Sequence, residues 1–115
     1  MSPHSAVIRH AQQLRAAERA AVAGARLNAG QITLAVAACD AAARKLSVLT
    51  AESSRIAEFA RQPDVSEHEL KVAARRLAEI DAQCARLSVR YRELGQHPQV
   101  NSAILAREAA RRAQS

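Results

Sequence analysis

Residues 70–94 read LKVAARRLAEIDAQCARLSVRYREL. Leu70, Ala73, Leu77, Ile80, Cys84, Leu87, Tyr91 and Leu94 follow one another at alternating spacings of three and four, the a/d seam of a helix that packs along its length. At about 1.5 Å of rise per residue this seam runs for roughly 36 Å. A helix that long with so narrow a stripe is built to meet other helices. The stretch therefore marks a helical packing unit. It does not say what the unit packs for, and no motif elsewhere names a reaction or a ligand.

Upstream, Ile32, Ala35, Cys39, Ala42, Leu46, Leu49, Ser53, Ile56 and Ala60 repeat the same alternation and predict a helix over about 31–61. Pro63 ends it and biases Gln62 away from helical angles. Ser66 followed by Glu69 is a capping box, so the seam helix is expected over 66–94, with Gly95 as its cap and Pro98 barring continuation. The short connection at 62–65 makes these two helices an antiparallel hairpin. Folding the seams about residue 65 places Leu49 near Ile80, Ile56 near Ala73 and Leu46 near Cys84, with Cys39 near Tyr91. The two cysteines then lie roughly 10 Å out of register, too far for a disulfide. Both are expected to be free.

The ends of the chain are weaker. Ser2 as N-cap and Pro3 at the first helical position start a helix that runs to about residue 28. Its face of Val7, Ala11, Leu14, Ala21 and Ala25 is poor in large side chains, and Gly24 weakens it further. The Asn28-Ala29-Gly30 stretch reads as its stop. A short last helix over about 102–113 carries Ile104 and Leu105. Strand signals are absent. The expected fold is all-α: one domain over 1–115, an antiparallel hairpin or bundle of three long helices plus a short C-terminal one, with coiled-coil-like packing.

Of the 115 residues 28 are Ala and only Phe59 and Tyr91 are aromatic. The core must then rest on about two dozen Leu, Ile and Val side chains, each contributing roughly 1.5–3 kcal/mol when fully buried. Such a thin core suits long helices that gain stability by pairing with a partner or with a second copy. The net charge of +6 invites a nucleic-acid reading. However, basic residues run from Arg9 to Arg112, interleaved with acids and without a block of five like charges, as on a solvated surface. The first ten residues lack the order of a signal peptide, no stretch is long enough to span a bilayer, and two cysteines make no secreted disulfide framework. A cytoplasmic protein is expected.

Signatures of catalysis, cofactor binding and metal binding are missing. Gln31 stands where a phosphate-binding loop would place Lys. His4, His10, His68 and His97 never fall at i, i+4, so metal-ligand spacing is absent. Glu79 and Asp81 sit two apart and face different directions on a helix. Glu67 and Glu69 belong to a helix's first turn, where the dipole favours them. The protein is expected to be no enzyme, with no cofactor. Arg75, Arg76, Arg86, Arg90 and Arg92 on the seam helix form one possible surface for anions or an acidic partner. Arg107, Arg111 and Arg112 form a second. Ala74, Ala78, Asp81, Ala85 and Ser88 flank the seam with small side chains, where another helix could approach closely.

Leu27-Asn28-Ala29-Gly30 leading into Ile32, Leu34 and Val36 resembles the helix entry of flagellar export chaperones and related type III secretion helpers. The Leu77, Ile80 and Leu87 seam and the segment after Pro98 are similar too, over about residues 20–110, although this chain is richer in Ala and Arg and more basic. The resemblance implies a bacterial cytosolic helical hairpin that binds an amphipathic helix of an export substrate in an apolar groove. The expected function is therefore a chaperone or adaptor for a partner helix, contacting it through Leu70, Leu77, Ile80, Leu87, Tyr91, Ile104 and Leu105. The alternatives are a basic nucleic-acid-binding regulator, working as a homodimer, or a structural oligomer of a phage or secretion apparatus.

Overall fold

The computed structural model describes residues 3–115. Among these the chain forms four helices and no strand: α1 (Pro3–Val22), α2 (Ala29–Ala60), α3 (Glu67–Gly95) and α4 (Pro98–Gln114). The fold is an all-α bundle, as the seams predict. Ser2, read as the first N-cap, lies outside the described residues. Among the described residues no helix is long and apolar enough to cross a membrane.

Capping chemistry sets the helix ends, and it corrects the expected boundaries twice. First, α1 stops at Val22 rather than near residue 28, because Gly24 takes a left-handed φ of 75°. The Gly24 N–H donates to the Ala21 carbonyl and the Ala25 N–H to the Ala20 carbonyl, both at 3.0 Å. That pair of bonds is a Schellman ending, which glycine enters without steric cost. Asn28 is then a beginning rather than a stop. Its Oδ1 accepts from the Gln31 N–H at 2.8 Å, while Gln31 Oε1 accepts from the Asn28 N–H at 3.0 Å. The same reciprocal box opens α3 as expected, with Ser66 Oγ accepting from Glu69 N–H (3.1 Å) and Glu69 Oε1 from Ser66 N–H (3.2 Å).

Second, α4 begins at Pro98 and not at residue 102. Pro98 does bar α3 from continuing, yet it occupies the first turn of α4, where a missing N–H leaves nothing unpaired. His97 is the N-cap: its Nδ1 accepts from the Gln99 N–H at 3.2 Å.

The chain divides into two compact units, one made of residues up to Ala41 with Tyr91–Ser115, the other of Ala42–Arg90. In the first, Ala21, Leu27, Ala35, Ala38, Cys39, Leu94 and Val100 form a buried cluster, with Leu14, Ile32, Val36 and Ile104 packed against it. The expected α1 face holds from Ala11 onward. Ala21 is buried and Ala11 and Leu14 half-buried, but Val7 is exposed and Ala25 lies beyond the helix. The connector before α2 is fastened to the start of α4. The Gln99 side chain bonds both the N–H and the carbonyl of Leu27, and His97 Nε2 lies 2.7 Å from the Ala25 carbonyl. Arg107 makes a two-point ion pair with Asp40, at 2.6 and 3.0 Å.

The second unit is an antiparallel hairpin of α2 and α3. Leu49 and Ile80, expected to face one another, are both shut off from solvent, as are Ala42 and Ala73. A two-point ion pair from Arg76 to Glu52 bridges the helices in that same register. Cys39 and Cys84 are both free thiols, in keeping with the pairing of the seams.

Candidate functional site

Two helices cannot cover each other on all sides. Residues one position before the seam, and their neighbours, lie beside the α2–α3 contact rather than within it. On α2 these positions are Lys45, Glu52 and Phe59; on α3 they are Glu69, Arg76, Gln83 and Arg90, each seven residues from the next. Seven-residue spacing keeps each set on one helix face. Together the two sets form one side of the hairpin, and the structure opens two clefts along it.

The larger cleft, of about 500 Å³, lies toward the connecting turn. Ile56 and Ala73 supply its floor and Phe59 and Val72 its flanks, with Arg55, His68, Glu69 and the Glu52–Arg76 pair around them. Phe59 remains 39% exposed and Val72 50%. Leaving such side chains half in water forgoes a good part of the roughly 1.5–3 kcal/mol that complete burial of each would contribute. The ion pair at its inner end is firmly charged. Hydrogen bonds from Arg76 hold the Glu52 carboxyl below its usual range, and Glu52 and Glu79 together push the Arg76 guanidinium up. Arg76 Nη1 reaches Glu79 Oε2 at 3.2 Å.

The second cleft, of about 310 Å³, is lined by Lys45, Gln83, Arg86, Leu87 and Arg90. Lys45 and Arg86 are exposed. Gln83 Oε1 is buried there and has no hydrogen-bond donor.

The chain was compared with protein-family models, curated proteins and solved structures. It matches none of them.

The cleft geometry sorts the residues singled out from the sequence. Ile80 is core, 1% exposed, and Leu77 is half-buried. Leu87 lines the basic cleft, whereas Leu70 and Tyr91 are exposed without lining either one. Ile104 packs on the first unit's core and Leu105 points away from it, 56% exposed. Among the arginines, Arg86 and Arg90 come together with Lys45. Arg76 is committed to Glu52 and Glu79, and Arg107 to Asp40, which raises the Arg107 pKa. Arg75, Arg111 and Arg112 are exposed, and Arg112 reaches Glu108 only at 3.9 Å. The small residues Ala74, Ala78, Asp81, Ala85 and Ser88 are all exposed.

Phe59, Val72 and Lys45 line these clefts, although the seam does not select them as partner contacts. The signal was present, since all three lie one or two positions off the seam, where a hairpin leaves its partners uncovered. Among the described residues no group of three or more His, Cys, Asp or Glu side chains could hold a metal.

Proposed function

We propose that this protein is a non-enzymatic interaction module, a small cytoplasmic adaptor or chaperone that holds a helix of another protein along the α2–α3 hairpin. The observation that carries the reading is the apolar cleft of Ile56, Phe59, Val72 and Ala73, whose flanking side chains stay half in water. An amphipathic helix laid into such a cleft completes the burial that two helices alone leave unfinished. The resemblance to export chaperones in the helix entry and the seam points the same way. A nucleic-acid reading draws less support, because Arg76 and Arg107 are spent on carboxylates of the same chain.

Selection of helical peptides from a displayed library against the full chain tests this. Enriched peptides should carry apolar residues at i, i+3 or i+4, and i+7. They should lose at least about tenfold in affinity for Val72→Glu, a change at a half-exposed position that leaves the circular dichroism spectrum intact. Enriched peptides that bind Val72→Glu and Phe59→Ser as well as the wild type would remove the cleft as the site.

A further inference from the structure

We infer that the helix held by this hairpin is polarised, with apolar residues at one end and acidic residues two heptads away. This rests on the partner-helix reading above and adds the chemistry of the partner. Three observations carry it.

The two clefts lie on one side of one hairpin, at opposite ends of the same row of heptad positions. Lys45 precedes Phe59 by 14 residues on α2, and Arg86 follows Val72 by 14 on α3. On both helices the step is about 21 Å. A single straight helix can therefore rest on both clefts at once, with its matching residues separated by the same two heptads.

The ends differ in kind. Ile56, Phe59, Val72 and Ala73 give one its apolar surface, with Arg55, His68, Glu69 and the Glu52–Arg76 pair around it, and Lys45, Arg86 and Arg90 line the other. Lys45 and Arg86 carry the argument, since Arg90 already has an interaction within the chain. Leu87 gives the basic cleft an apolar floor, which lowers the local dielectric and strengthens a charge pair formed over it.

The middle disfavours an acid. At the inner end of the apolar cleft Glu52 and Glu79 set two carboxylates beside the one guanidinium of Arg76, with Arg55 and Lys45 also acting on Glu52. An acid one heptad from the apolar end would lie beside both carboxylates, whereas an acid two heptads away meets the exposed Lys45 and Arg86. The spacing is thus selected by repulsion as well as attraction.

A second copy of the chain does not meet these terms. Laid antiparallel across this side, it would set its basic end on the apolar cleft; laid parallel, basic end on basic end. α1 and α4 carry one acid each, Glu18 and Glu108, against several basic residues.

The test uses the full chain and labelled synthetic 22-residue helical peptides that share one apolar end. Three peptides place Glu, Gln or Lys pairs two heptads from that end, and a fourth places the Glu pair one heptad away. Anisotropy titrations at about 50 mM and 500 mM salt should rank the two-heptad Glu peptide first. It should lead the Gln peptide by tenfold or more at low salt, with the gap shrinking at high salt. Lys45→Glu/Arg86→Glu, both at exposed positions, should reverse the order of the Glu and Lys peptides. Equal binding of the Glu and Gln peptides, or of both Glu spacings, would overturn this inference and leave the helix-binding reading standing. Binding of none of the four would remove that reading as well. A 20-base-pair DNA duplex that binds more tightly than the Glu peptide, and loses binding in the double variant, would reassign the basic cleft to phosphates.

Discussion

The side-chain amide of Gln99 grips Leu27 at both ends of that residue's backbone. Its Oε1 accepts from the Leu27 N–H at 2.7 Å and its Nε2 donates to the Leu27 carbonyl at 3.0 Å. The residues are 72 apart in sequence, so the pairing locks the connector between α1 and α2 to the first turn of α4. Leu27 is itself buried, and the amide satisfies main-chain groups that no helix serves.

Gln99→Ala should leave both Leu27 groups without that partner, at a cost of about 1–3 kcal/mol. Gln99→Glu should be at least as damaging at neutral pH, because a carboxylate has no proton for the Leu27 carbonyl. As the pH falls into the carboxylate range the acid takes up a proton and can both accept and donate again. Urea unfolding at about pH 7 and pH 4 should therefore show Gln99→Glu gaining on Gln99→Ala as the pH drops. Parallel loss in the two variants would mean that the carbonyl bond contributes nothing.

Gly24→Ala should destabilise the protein by about 1–2 kcal/mol through backbone strain alone, the cost of a left-handed conformation for a side chain with a Cβ. The added methyl would meet nothing within 4 Å, so there is no packing term to offset or enlarge it. Gly24→Asn should cost less, since Asn tolerates that region. Denaturant midpoints for the two variants check the order; equal midpoints would argue against the left-handed ending of α1.

Glu52→Gln tests the ion pair by its pH dependence. The carboxyl is held below its ordinary value of 4.5 by hydrogen bonds from Arg76. A group whose folded pKa is depressed contributes stability above its unfolded pKa and loses it as the pH falls through the folded one. Wild type should therefore exceed Glu52→Gln in Tm at neutral pH, by a small margin because both partners are about one-third exposed. The margin should close as the pH drops below about 4.5. A margin constant from neutral to strongly acid solution would show that the charge is not what matters.

Ile104 and Leu105, adjacent and chemically alike, should behave differently. Ile104→Ala removes contacts with the first unit's core and should cost about 1–2 kcal/mol, less than for a fully buried side chain. Leu105→Gln, on the exposed side of α4, should stay within about 0.5 kcal/mol. Thermal unfolding of the two single variants decides it, and similar losses would place both side chains in the core.

How much of this could be read from sequence depends on whether a feature is local. The two seams, the Ser66–Glu69 box and the α2–α3 register follow from spacing alone, and Leu49 and Ile80 end up buried as that spacing requires. The boundaries that moved turn on residues with two uses. Asn28 and Gln31 have the same three-residue separation as Ser66 and Glu69, but beside Gly30 the asparagine reads equally well as an ending. Pro98 both stops a helix and starts one. The basic cleft was half legible: Arg86 and Arg90 are a turn apart, whereas Lys45 joins them only once the hairpin is folded. The commitment of Arg107 to Asp40 spans 67 positions, and no pattern in the sequence marks it.

The placement of the two free thiols has a practical consequence. Cys39 sits at 1% exposure in the unit closed by α4, and its pKa is raised by burial and by the neighbouring Asp40 carboxylate. Cys84 belongs to the hairpin unit and is half-buried. Because alkylation requires an accessible thiolate, the chain carries its own two-channel reporter of breathing. Labelling at Cys39 times the release of α4 and the connector it fastens, whereas the half-buried Cys84 gives a faster reference rate from the hairpin unit. A ligand that covers Cys84 would slow the second channel without touching the first.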